Sequence, residues 1–86
     1  MQQFIVSVYN NMDDETYAEL LEQELAFSKG LKASGQLLNV YVKAEHRGAI
    51  LIIQAENDST LKALLTKFPF YPYWYKIEID LMRAAL

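Results

Sequence analysis

At 86 residues the chain has room for one domain, and a formal net charge of −3 without a basic cluster argues against a nucleic-acid partner. The absence of cysteine excludes a disulfide framework, a thiolate nucleophile and a Cys-based metal site. Hydrophobic residues make up 52% of the chain, more than so small a domain readily hides, so a subunit interface is expected. No apolar run is long enough for a membrane span, and the N-terminus passes directly into FIVSVY with no positive region. The expectation is a cytoplasmic homo-oligomer with no membrane association.

In chain order, residues 4–9 read as a strand, with Phe4, Val6 and Val8 on one face and Ile5, Ser7 and Tyr9 on the other. Asp13 or Asp14 can then cap a helix over residues 14–33 and favour its positive end, and Gly35 is its stop signal. Gly30 inside that helix suggests close packing or a bend, because an unforced helical glycine is unfavourable. Residues 37–43 and 49–54 form two further strands, joined by AEHRG as a hairpin with its glycine in the turn. Asn57, Asp58 or Ser59 caps a short second helix. Aromatics and prolines crowd the segment KFPFYPYWY, after which Tyr75, Ile77, Ile79 and Leu81 alternate with Lys76, Glu78 and Asp80 in a last strand. The order is βαββαβ, a ferredoxin-like α+β fold with a four-stranded antiparallel sheet and both helices on one face. Strand three, AILII, is apolar on both sides, and strand one carries Ile5 and Tyr9 on its second face. Such strands expect cover on both sides, and a second copy of the sheet supplies it in a dimeric α/β barrel.

One residue breaks the apolar pattern of the first helix. At 100° per residue, Tyr17, Leu20, Leu21, Ser28 and Leu31 occupy an arc about 100° wide, with Glu24 near its centre. A carboxylate there must be hydrogen-bonded, paired or protonated, with a pKa raised by desolvation, which suits an acid or base working near neutral pH. The structural alternative is an ion pair with Lys76 across the interior, or a side chain that reaches the edge and snorkels out. Ser28, one turn on, either hydrogen-bonds the carboxylate or simply packs.

The remaining candidates are less specific. His46 and Arg47 sit at a hairpin tip, where polar residues are commonly solvated. A lone His without Asp, Glu or His at ligand spacing is not a metal site, and no Ser-His-Asp signature or phosphate-cradling glycine loop is present. Tyr71, Tyr73, Trp74 and Tyr75 read first as core and interface, with a pocket wall as the second possibility.

The stretch LLTKFPFYPYWYKIEI resembles the C-terminal signature of the muconolactone isomerase family, in which a short helix precedes an LPLFPY-type turn and an IEV-type strand. Leu64, Leu65, Phe68, Pro69, Phe70, Tyr71, Pro72, Tyr73, Ile77, Glu78 and Ile79 carry the match, with one extra residue between turn and strand. Gly35 and His46 also keep the family's order and spacing. Two prolines three apart fix φ twice and make a rigid reversal, so the aromatic segment is first a turn.

The resemblance implies a proton shift in a small unsaturated lactone or related organic acid, in aromatic catabolism, without metal or organic cofactor. It places the family's acid/base glutamate on Glu24, the residue the helical pattern singles out independently. His46, Arg47, Tyr41, Ser28 and Tyr73 are the expected substrate-binding positions. The chain departs from the family in strand two, where LLNVYV lacks the family's Trp, Arg and His residues. It also has Arg47 and Ala49 where the family offers a Tyr and an Asn. A non-catalytic, oligomeric small-ligand-binding protein that kept the fold is the alternative function.

Overall fold

The computed structural model describes the backbone of residues 1–86 and every side chain but that of His46. The elements run β1 (Gln2–Asn10), α1 (Asp14–Ala33), β2 (Leu37–Val42), β3 (Gly48–Ala55), α2 (Asp58–Leu65) and β4 (Trp74–Met82). All neighbouring strands are antiparallel, in the order β2-β3-β1-β4, which is the expected ferredoxin-like sheet. No helix is long and apolar enough to cross a membrane.

The helix ends are fixed by local chemistry. Asp13 accepts the N–H of Thr16 at the start of α1, and Asn57 accepts that of Thr60 at the start of α2. At the end of α1, Gly35 takes φ +83°, its N–H bonds Lys32 O and that of Gln36 bonds Leu31 O. This paired closure needs a left-handed residue, which glycine supplies without strain. Gly30 does not mark close packing: it is exposed, and a Cβ there would meet nothing within 4 Å.

The core lies between the sheet and the helices. Phe4, Val6 and Val8 of β1 pair with Ile53, Leu51 and Ala49 of β3, and α2 adds Leu61, Leu64 and Leu65. Phe68, fully buried at the end of α2, packs edge-on against Phe27 of α1 at 4.8 Å and beside Trp74 at 5.5 Å. Each such large side chain removed from water contributes roughly 1.5–3 kcal/mol, which anchors the aromatic segment to α1.

Gly48 is not a turn residue. The connection is a 3₁₀ turn at Ala44–His46 with Glu45 at φ 59°, and Gly48 is already the first residue of β3, paired with Tyr9. A Cβ on Gly48 would lie 2.0 Å from the Val8 carbonyl oxygen, so only glycine permits this strand approach.

The sheet's second face carries Ile5, Ser7 and Tyr9 of β1 with Ile50 and Ile52 of β3, all half-buried within the single chain. Glu78 and Lys76 of β4 pair with Ser7 and Tyr9 on this face. The Tyr9 hydroxyl donates to Glu78 Oε1 at 3.2 Å, and Lys43 Nζ and Lys76 Nζ stand 4.6 and 5.3 Å from its ring centre.

Candidate active site

Glu24 reaches the gap between α1 and the turn that follows α2. Its Oε1 accepts the backbone N–H of Phe70 at 3.0 Å. The turn makes that N–H available. Phe68, Tyr71 and Tyr73 donate to Leu65 O, Phe68 O and Phe70 O, and Pro69 and Pro72 have no N–H. Phe70 is buried, and Glu24 is the acceptor that satisfies its N–H. Among the described residues Oε2 has no hydrogen-bond partner. Burial raises the carboxyl pKa to about 7, and the Phe70 hydrogen bond partly offsets the rise. The ion pair with Lys76 does not form, because Lys76 sits on the opposite face of the sheet beside Tyr9.

The carboxyl borders a cavity of about 80 Å³. Val8 and Asn10 of β1 and Gly48 and Ala49 of β3 make its floor, and Phe70 and Trp74 close the turn side. Leu25, Val40 and Val42 line the side toward the β2 edge, where they are 49, 36 and 61% exposed. Tyr17 of α1 stacks on Phe70 at 5.4 Å and is shared with an adjoining open cavity of about 430 Å³. Arg47, Glu45, Asp13 and Asp14 line that outer space, with Arg47 Nε 3.8 Å from Glu45 Oε2 at an exposed pair.

The structure separates the expected site residues. Arg47 lies at the mouth beside Tyr17, outside the inner cavity. Ser28 lines a shallow hollow with Lys29 and Lys32, beyond Leu25 and Val40, and does not bond Glu24. Tyr73 belongs to the 3₁₀ turn Tyr71–Tyr73, where its N–H and C=O bond Phe70 and Asn11, and it is absent from the cavity wall. Tyr41 pairs with Ile50 on the other face of the sheet, with its hydroxyl accepting from Asn39 Nδ2 at 2.9 Å. The side chain of His46 lies outside the described residues.

Asn10 is the site residue that sequence reasoning missed. It is 6% exposed, lines the cavity opposite Glu24, and its Oδ1 accepts the N–H of Met12 at 3.2 Å. The signal was present: Asn10 continues the inward phase of Phe4, Val6 and Val8. Val40 and Val42 were likewise not assigned to the site, whereas Trp74, expected first as core or interface, takes its second possibility and walls the cavity.

A ferredoxin-like sheet with an acidic side chain of raised pKa in a small, mostly apolar cavity describes a small-molecule α+β domain. The sequence model of the muconolactone delta-isomerase family matches residues 1–84, and the chain belongs to that family. Among solved structures it is similar to the 5-chloro-2-hydroxyhydroquinone dehydrochlorinase of Burkholderia phenoliruptrix in complex with 2,5-dihydroxybenzoquinone. That match has a TM-score of 0.79 and 14% identity over 94% of this chain and 93% of the other. It is also similar to a muconolactone isomerase, with a TM-score of 0.76 and 22% identity over 96% of this chain and 91% of that one. At these identities the two structures establish a shared fold. No curated protein matches the chain at a significant level.

Proposed function

We propose that the protein is a cofactor-independent isomerase that shifts a proton within a small unsaturated lactone or related organic acid, with Glu24 as both base and acid. Family membership supports the reaction class, and the likeness to a dehydrochlorinase bound to a quinone supports a place in the breakdown of aromatic-derived compounds. One observation carries the reading: a half-buried carboxyl with one oxygen fixed by Phe70 N–H, the other without a hydrogen-bond partner among the described residues, and a pKa near 7, against a cavity sized for a small ring.

In the reaction, Glu24 Oε2 takes a proton from a ring carbon made acidic by the conjugated carbonyl. The C–H electron pair moves through the ring onto the carbonyl oxygen as a dienolate. The pair then returns to form a C–H bond at a different carbon, using the proton held on Glu24, and the double bond has moved with no change in composition. Negative charge on the carbonyl oxygen is stabilised by hydrogen-bond donors, and Asn10, Tyr17 and Trp74 are the described donor-bearing side chains on the wall.

The test is exchange of solvent deuterium into a panel of unsaturated lactones, followed by proton NMR for the wild type and Glu24→Gln. Glu24-dependent exchange supports the isomerase. Ligand binding with no exchange in either protein rejects it and leaves the binding-protein alternative.

A further inference from the structure

The charges around the cavity discriminate between ligands that the proposed function leaves together. Among the described residues Glu24 is the only carboxylate on the cavity wall, and no lysine or arginine joins it. The other titratable side chain there, among the described residues, is Tyr17; Asn10 is neutral, and the contributions of β2, β3 and the turn are apolar or glycine. Among the described residues the lysines and arginines around this site have other surroundings. Arg47 shares its outer cavity with Asp13, Asp14 and Glu45. Lys43 and Lys76 stand over Tyr9 on the opposite face of the sheet, and Lys29 and Lys32 lie beyond the Leu25–Val40 wall.

We infer that the inner cavity selects an uncharged ring, so that its substrate is a neutral unsaturated lactone or cyclic enone rather than a lactone carrying a carboxylate. The inference rests on the proposed function for the word substrate only, since the charge selection concerns binding. A carboxylate brought beside Glu24 leaves water without gaining a lysine or arginine counter-ion among the described residues. It also repels the Glu24 carboxylate across a few ångströms of poorly screened space. Glu24 relieves that repulsion by taking a proton, and a protonated Glu24 is no longer a base. An acid therefore binds weakly at high pH or binds in a form that stops the chemistry. A neutral ring meets neither obstacle: its apolar edge packs on Val8, Ala49 and Val42 while its carbonyl meets a neutral donor.

The experiment uses the full chain with carbon-13 in its glutamate carboxyl groups at about pH 8.5, where Glu24 is ionised and an unperturbed histidine is neutral. The Glu24 signal is followed during titration with but-2-enolide, with cyclopent-2-enone, and with the but-2-enolide ring carrying an acetate arm. The expected result is that the neutral rings bind about tenfold or more tighter than the acetate-bearing ring. Equal or tighter binding of the acid overturns the inference, as does failure of all three to shift the signal at millimolar concentration. Val42→Arg, at an exposed position on the wall, adds a permanent cation there and is expected to reverse the order of affinities. An unchanged ratio in that variant overturns the electrostatic basis of the selection. Neutral-ring binding without Glu24-dependent deuterium exchange removes the isomerase reading while the charge selection stands.

Discussion

Glu24 Oε1 and the backbone N–H of Phe70 meet at 3.0 Å although 46 residues separate them in the chain. The bond ties α1 to the aromatic turn and fixes the orientation of the carboxyl. Desolvation dominates the electrostatics of the same group, and the carboxyl titrates near pH 7 instead of near 4.5.

That shift makes stability depend on pH in a defined direction. A carboxyl whose folded-state pKa lies above its unfolded value favours the folded state while protonated. The contribution is fully present below about pH 4.5 and is lost as pH rises through about 7. Glu24→Gln keeps the shape and an acceptor for Phe70 N–H without an ionisable proton. It is expected to match the wild type near pH 4.5 and to be more stable above pH 8, by roughly 3 kcal/mol at most. Urea denaturation of both proteins at the two pH values checks this; a variant less stable than wild type at high pH contradicts it.

On the proposed function, the same carboxyl would set an activity profile. If Glu24 is the base, kcat/KM for deuterium exchange rises as a single ionisation near pH 7 and then levels off. Glu24→Gln is expected to lose about 10²- to 10⁴-fold in rate with assembly and folding intact. A profile flat from pH 5 to 9 points to a different proton carrier.

Two glycines should answer oppositely to alanine. Gly48→Ala drives a methyl into the Val8 carbonyl, which cannot move without parting β1 from β3, at a cost of about 3 kcal/mol or more. Gly30→Ala adds a methyl to an open, exposed helical position and should stabilise by about 0.5–1 kcal/mol. Thermal denaturation of the two single variants checks both signs.

The uncovered sheet face predicts assembly. Ile5, Ile50 and Ile52 form its middle, with the Tyr9, Lys76 and Glu78 group toward one end. We propose that a second copy covers this face, as the apolar composition suggests. Sedimentation should find a dimer or larger ring at micromolar concentration, and Ile52→Lys should shift it toward monomer while preserving the helical circular-dichroism signal. A wild-type monomer at that concentration rejects the proposal.

The element order, the cap clusters that hold Asp13 and Asn57, and the burial of Glu24 were legible because each follows from a local period or a local cap. The misplacement of Tyr41 has a physical cause that no local pattern announces. Between Leu37 and Asn39 the register against β3 slips from Ile53 to Ile52. The irregularity leaves Val40 and Val42 facing the helices and turns Tyr41 to the open face, where an uninterrupted alternation from Leu37 would have pointed it inward. Gly48 was misplaced for a related reason: a glycine near a polar tip reads as a turn, and its use as a strand contact depends on the approach of Val8. Asn10 was overlooked because it ends β1, where polar residues usually signal a loop.

The cavity's walls also carry separate duties. The acidity of Glu24 depends on burial and on the proline-locked turn around Phe70, whereas Val42, on the β2 edge, is mostly solvated. Exposed positions usually accept substitution within about 0.5 kcal/mol, so mutation can alter that margin with little risk to folding. On the proposed function, the protein thus has the makings of a replaceable reading head on a fixed proton carrier: ligand preference could drift through the edge strand while the glutamate's tuning is inherited unchanged.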